Sequence, residues 1–156
     1  ALGARVLAVS SSPEKENYLR ELGADEVLGD KGLDFSEMVM AMTEDEGANV
    51  VIDTVGSAMF PSTLRSLAQY GRLVLLGEIL GKSVTLNPAE IIFRDAQVLG
   101  ATGVSRATVE RAAKLTLEGK LRAVVDSELP LGQAIDSYRM MSERRPTGRI
   151  VLLPDA

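Results

Sequence analysis

The sequence has 156 residues, 46% of them hydrophobic, which is the scale of one ordinary domain with a sizeable buried core. Its 17 basic and 22 acidic residues leave a formal charge of −5, so no cationic field is available for a nucleic-acid backbone or an anionic membrane surface. No stretch approaches the roughly 20 apolar residues that span a bilayer, and without cysteine or histidine the sequence excludes disulfides, Cys/His zinc sites, thiol nucleophiles and imidazole catalysis.

Nucleic acid and membrane are therefore not expected partners, and the chain reads as soluble and cytoplasmic. Any chemistry must rest on Asp, Glu, Lys, Tyr, Ser or a bound cofactor.

In chain order, short β-branched runs alternate with amphipathic stretches. Strands are expected at Arg5 to Val9, Asp25 to Leu28, Asn49 to Asp53, Arg72 to Leu76 and Ala96 to Ala101. This rhythm is that of βα units on a parallel sheet. Ser12 and Pro13 offer an N-cap and a first-turn proline for the first helix. Its apolar stripe is Tyr18, Leu19 and Leu22, with Gly23 as its stop and Glu16 and Arg20 paired on the outer face.

Asp34 and Glu37 stand at capping-box spacing ahead of Phe35, Met38, Val39 and Met42, an apolar stripe whose methionines read as core filler. A third helix is expected from about Pro61 to Gln69, with Leu64, Leu67 and Ala68 inward and Gly71 closing it.

Beyond the turn around Gly103 the pattern changes. A helix from Ser105 to Glu118 ends at Gly119, and a short strand lies near Val124. Leu131, Ala134, Ile135 and Tyr138 mark a last helix, and Arg149 to Leu153 form a terminal strand. The expected division is residues 1–103, an α/β body, and residues 104–156, C-terminal helices and strand.

Three motif matches fail on physical grounds. Gly77 to Ser83 follows a strand and ends in Gly81-Lys82-Ser83, but three residues separate its glycines where a P-loop needs four, and a β-prone stretch stopped by Pro88 stands where a helix should begin. Gly103-Val-Ser105-Arg-Ala107 resembles a nucleophile elbow, yet no histidine exists to serve the serine, and Ser105 is better explained as an N-cap. Ser12-Pro-Glu-Lys15 has Ser-x-x-Lys spacing without its companion motifs.

What remains is a clustering of small and polar residues directly after four strands: Ser10-Ser11-Ser12, Asp53-Thr54-Val55-Gly56, Leu76-Gly77-Glu78 and Ala101-Thr102-Gly103. In an open parallel sheet the strands' carboxyl ends share one edge, and ligands bind in the crevice there. Turns use such residues in any case. Asp53 could alternatively serve as a base or a metal ligand, although no second carboxylate stands at defined spacing to it. Ser10 and Ser11 occupy the place where an acidic residue would hold a free ribose 2′-hydroxyl. With Lys15 in the next helical turn, they favour NADP(H) over NAD(H).

Taken together, six stretches resemble the medium-chain dehydrogenase/reductase family, the zinc alcohol dehydrogenase and quinone reductase group. They are Leu2-Gly-Ala-Arg-Val-Leu-Ala-Val-Ser10, Leu22-Gly-Ala-Asp25, Val51-Ile-Asp-Thr-Val-Gly56, Gly71-Arg-Leu-Val-Leu-Leu-Gly-Glu78, Leu86-Asn-Pro-Ala-Glu-Ile-Ile-Phe93 and Gly148-Arg-Ile-Val-Leu-Leu-Pro154. Asn87-Pro88 with Leu117-Glu-Gly-Lys-Leu121 is most similar to the branch containing acryloyl-coenzyme A reductases.

The resemblance implies a Rossmann-like doubly wound parallel sheet and hydride transfer from NAD(P)H to a carbonyl or an activated C=C bond, or from an alcohol to the oxidised cofactor. It places the adenosine ribose near Ser10, Ser11 and Lys15, adenine near Asp53, Thr54, Val55 and Gly56, and nicotinamide near Gly77, Glu78, Ala101 and Thr102. It further implies a homodimer paired through Ser83 to Leu86 and a small-molecule substrate held by another domain. A non-catalytic nucleotide-binding or assembly module remains the alternative.

The family's first strand, glycine fingerprint and zinc ligands have no counterpart here, so zinc is open and no residue is assigned as catalytic. A doubly wound sheet without its central first strand would leave two interior edges unpaired. Direct pairing of Arg5 to Val9 with Asn49 to Asp53, insertion of Arg149 to Leu153, or a partner chain is expected to close that gap, with closure or a partner favoured.

Overall fold

The computed structural model describes residues 3–29 and 34–154, which divide into two compact units. One runs from Ala4 to Val104; the other starts at Ser105 and takes in Gly3.

The first unit is built from β1 (Leu7–Ser10), α1 (Glu16–Glu21), β2 (Glu26–Gly29), α2 (Phe35–Met42), β3 (Ala48–Asp53), α3 (Phe60–Arg65), β4 (Leu67–Leu75), α4 (Ala89–Ile92) and β5 (Gln97–Gly100). All of its strand pairs are parallel: β1 lies beside β2, and β4 lies between β3 and β5. The expected βα alternation is thus present.

Two apolar clusters hold the unit. Phe60, Leu64, Leu67 and Leu73 form one, with Val51, Leu75, Ile91 and Val98 packed around them, so α3 and α4 cover one face of the three-stranded sheet. Leu73 is fully buried, and truncating such a leucine to alanine costs about 2–5 kcal/mol. The second cluster is Leu28, Phe35 and Val39, against which Leu7 of β1 and Ala48 of β3 both pack. α2 thereby ties the two sheets together, helped by the Arg5 guanidinium donating to the Met42 carbonyl at 2.9 Å.

The expected closure of the sheet does not occur. Among the described residues β1 pairs only with β2 and β3 only with β4, while Arg149–Leu153 pairs elsewhere. The expectation assumed that an open edge would be buried. Val50 and Ile52, 46% and 64% exposed, stand on the face opposite the packed Val51, and among the described residues no strand takes up the free edge of β3. Where β1 begins, the Val6 amide donates to the Asp25 carboxylate at 2.6 Å and the Val6 carbonyl accepts from the Asp25 amide, so both groups face β2.

Three local expectations need correction. Ser12 makes no side-chain cap; a 3-10 turn at Pro13–Lys15 intervenes before α1, and the Ser10 hydroxyl accepts from the Ser12 amide. α3 ends at Arg65, and Leu67 and Ala68 open β4. Gly71 consequently lies inside a strand, after a bulge in which Tyr70 takes a positive φ of 59°. Asp34 does cap α2, its carboxylate accepting from the Ser36 amide at 3.0 Å, with Met38 against the core and Met42 at the surface.

The second unit carries α5 (Arg106–Leu117), β6 (Val125–Pro130), α6 (Ala134–Ser142) and β7 (Arg149–Leu153). Ser105 is the N-cap of α5 as expected, accepting from the Thr108 amide at 3.2 Å. β6 and β7 pair in parallel. Ile135 and Tyr138 lie exposed on α6.

Candidate functional site at the carboxyl edge of the three-stranded sheet

Because β3, β4 and β5 are parallel, the turns that follow Asp53, Leu75 and Gly100 emerge on one edge. The first turn is shaped by Asp53, only 3% exposed. Its Oδ1 accepts from the amides of Val55 and Gly56, both at 2.8 Å, and its Oδ2 accepts from Thr63 Oγ1 at 3.2 Å. The carboxylate is therefore committed to bending the chain back over the end of β3, which Gly56 permits with a φ of +83°.

The turn after β4 locks onto the first. The Leu76 amide donates to the Asp53 carbonyl at 2.8 Å, and the Ile79 amide to the Val55 carbonyl at 3.0 Å. Side chains would prevent this approach. A Cβ on Gly56 would lie 2.7 Å from the Gly77 carbonyl oxygen, and one on Gly77 would collide with the Thr54 carbonyl.

Glu78 completes the lock. One carboxylate oxygen accepts from the Ser57 amide, and the other from the Ser57 hydroxyl and the amides of Leu80 and Gly81, all at 2.8 Å. These bonds, the Ser57 hydroxyl foremost, lower the Glu78 pKa to about 2.

Between these turns lies a pocket of about 370 Å³. Gly56, Ser57, Gly77, Glu78 and Thr102 give it polar edges, Phe60, Leu75, Leu76 and Val84 give it apolar walls, and Lys82 is the cation among its lining residues. A flat, partly apolar group with a few polar contacts suits such a site.

Of the residues singled out in the sequence, Gly56, Gly77, Glu78 and Thr102 meet at this pocket. Asp53 lies buried below it, Thr54 is exposed, and Val55 and Ala101 are half-buried beside it in the chain. Ser10, Ser11 and Lys15 stand at the end of β1 and its following turn and do not line the pocket. Ser57, Phe60, Lys82 and Val84 were not anticipated. Lys82 carried a signal in the failed P-loop match, and Ser57 one in directly following Gly56.

For zinc the donor set does not fit. The sequence holds no cysteine or histidine, and among the described residues no three acidic groups cluster as a metal site. No step through zinc follows from this chain.

The sequence matches the profile described as zinc-binding dehydrogenase over residues 1–118. The chain belongs to the zinc-binding dehydrogenase family. Within it, the chain is 35% identical over 153 residues to an acryloyl-coenzyme A reductase of Metallosphaera sedula, covering 97% of this chain and 44% of that protein. A crystal structure of an NAD-dependent alcohol dehydrogenase superposes with a TM-score of 0.90 at 34% identity, over 96% of this chain and 44% of the other. A mycobacterial protein solved with NADPH gives a TM-score of 0.81 at 27% identity, over 98% and 51%. The fold is thus the Rossmann-like α/β class that the sequence resemblance implied. The chain spans about half the length, or less, of these relatives.

Proposed function

We propose that this chain is the cofactor-binding part of a medium-chain NAD(P)H-dependent oxidoreductase that transfers hydride to a carbonyl or an activated C=C bond, or from an alcohol. The observation that carries the proposal is the pocket at the shared carboxyl edge of β3, β4 and β5, walled by glycine turns that no side chain could replace. A bound nicotinamide would supply the hydride to a carbonyl or alkene, or in its oxidised form receive it from an alcohol.

The chain's own residues hold and orient. Phe60, Leu75 and Val84 offer an apolar wall to a planar ring, and Ser57 and Thr102 place hydroxyls at its edge. Gly77, Glu78, Ala101 and Thr102 are assigned to the nicotinamide side, Asp53 to Gly56 to the adenine side, and Ser10, Ser11 and Lys15 to the ribose 2′-phosphate. Serines and a lysine there favour NADP(H) over NAD(H), since a carboxylate would repel the phosphate. The homodimer proposed through residues 83–86 draws on that segment's coil conformation and on exposed Val84 and Leu86. A cytoplasmic location is part of the same proposal. No helix among the described residues is long and apolar enough to cross a membrane.

The test is NADPH binding by isothermal titration and NADPH oxidation with an enone or enoyl thioester, using the complete enzyme carrying this chain. Saturable binding and turnover support the proposal. Failure of the nucleotide to bind rejects it, and binding without turnover of any carbonyl, alkene or alcohol favours a non-catalytic module. The 156-residue chain by itself is expected to show no turnover, because hydride transfer needs geometry fixed from both sides of the cleft.

A further inference from the structure

Lys82 belongs to a motif that fails as a P-loop, yet the fold delivers it to the pocket by other means. The Glu78 carboxylate gathers the amides of Leu80 and Gly81, and Gly81 turns with a φ of +62°, so the chain curls around Glu78 and sets Lys82 at the pocket's lining. The same carboxylate is tied to Ser57 on the neighbouring turn, which fixes the loop's position relative to β3.

The charge balance of the pocket follows from this geometry. Glu78 is the acidic residue of the lining, and four donors surround its carboxylate, so it offers an incoming cation little. Lys82 is the basic residue of the lining and is exposed. A ligand group seated beside it gains from carrying negative charge. The remaining walls, Phe60, Leu75, Leu76 and Val84, are apolar and recognise no charge.

We infer that Lys82 receives an anionic group of the acceptor substrate, a carboxylate or a phosphate, and so selects charged activated alkenes over neutral ones. This rests on the cofactor assignment proposed above, which gives the cofactor's 2′-phosphate to Lys15 at the end of a different strand. The cofactor's other anion, its pyrophosphate, belongs between the adenine and nicotinamide sides, and the Kd for NADPH in the experiment below separates it from an anion of the second reactant.

The experiment compares the complete enzyme with its Lys82→Met and Lys82→Glu variants on three acceptors: an acrylate-type acid, an enoyl thioester of coenzyme A, and a neutral enone. Lys82 lies on an exposed loop, so both variants should fold, and circular dichroism checks this. Losing one charge-assisted contact should raise KM for an anionic acceptor by about tenfold or more, and Lys82→Glu should raise it further.

KM for the neutral enone, which carries no charge for Lys82 to meet, and Kd for NADPH should stay within about twofold. An effect confined to the acid identifies a carboxylate as the bound group, and one confined to the thioester identifies a phosphate; either supports the inference. Equal effects on charged and neutral acceptors overturn it, as does weakened NADPH binding with acceptor KM unchanged. If the unsubstituted enzyme binds no NADPH, the cofactor assignment falls and takes this inference with it, whereas NADPH binding without charge discrimination removes the inference alone.

Discussion

Glu78 and Ser57, 21 residues apart in sequence, are joined by two 2.8 Å hydrogen bonds, from the Ser57 amide and the Ser57 hydroxyl to the two oxygens of one carboxylate. The pair welds the turn after β3 to the loop after β4. Glu78 has a folded pKa of about 2, below its ordinary value of 4.5. For a depressed carboxylate the stabilisation is complete above the ordinary value and is lost as pH falls through the folded one. We therefore expect the loop at residues 78–81 to stay ordered at pH 5 and to loosen between about pH 4.5 and 2. Carbon-detected NMR titration of the Glu78 carboxyl checks this, and a midpoint near 4.5 would contradict it.

Gly77→Ala should destabilise the protein by about 1–3 kcal/mol, because its Cβ meets the Thr54 backbone, which cannot swing aside. Gly103→Ala is the control, since a Cβ there meets nothing within 4 Å. Denaturant unfolding of the two variants should separate them; indistinguishable midpoints would refute the close approach of the two turns.

At Asp53, alanine and asparagine should differ. Asp53→Ala strands the Val55 and Gly56 amides and should cost about 1–3 kcal/mol for a buried donor left unpaired. Asp53→Asn keeps an accepting Oδ1, while Thr63 Oγ1 retains its bond to the Phe60 carbonyl and can accept from the new amide. The asparagine variant should therefore melt close to the parent protein, and equal losses would show that the negative charge itself matters.

Asp34 caps α2 and pairs with Arg65 of α3. Burial raises its carboxyl pKa, but hydrogen bonds from Ser36, Ser62 and Arg65 outweigh that and hold it below the ordinary range. Its contribution should be complete at neutral pH and disappear as acid protonates it. Asp34→Ala should cost about 0.5–2 kcal/mol at pH 7, the range for a lost N-cap, and the gap from the parent should shrink in acid. A gap that widens in acid would reverse the assigned sign.

Lys15→Glu in the complete enzyme should weaken NADPH more than NADH, since it puts repulsion in place of a charge-assisted contact at the 2′-phosphate. Equal losses for both nucleotides, measured by isothermal titration, would reject the placement of that phosphate.

Strand and helix types were legible wherever one local signal dominated. Arg149–Leu153 appears as read, Ser105 caps α5, and Gly119 ends its turn with a φ of +70°. The boundary between α3 and β4 was not, because Leu64, Leu67 and Ala68 satisfy helical spacing and are buried in either arrangement. What decides it is tertiary: the Ala48 amide donates to the Ser66 carbonyl at 2.7 Å, drawing the chain into the sheet immediately after α3.

At the site, glycines and small residues after strands marked the edge, but not the partners that close it. Phe60 and Val84 reach the pocket from a helix and a coil whose placement depends on packing. Ser57 and Lys82 are placed through hydrogen bonds centred on Glu78, a relationship that spacing along the chain does not encode.

Among the described residues the unpaired edge of β3 separates two sheets that differ in their free energy of local opening. Amides of β1 and β2 belong to a two-stranded pair, which opens by local fluctuation, whereas β4 is bonded on both sides and contains the fully buried Leu67 and Leu73. Hydrogen exchange should then be slowest in β4, the strand from which Gly77, Glu78 and Lys82 follow. The frame of the pocket is thus attached to the last part of the unit to unfold, and fraying at the other sheet can proceed without dismantling it.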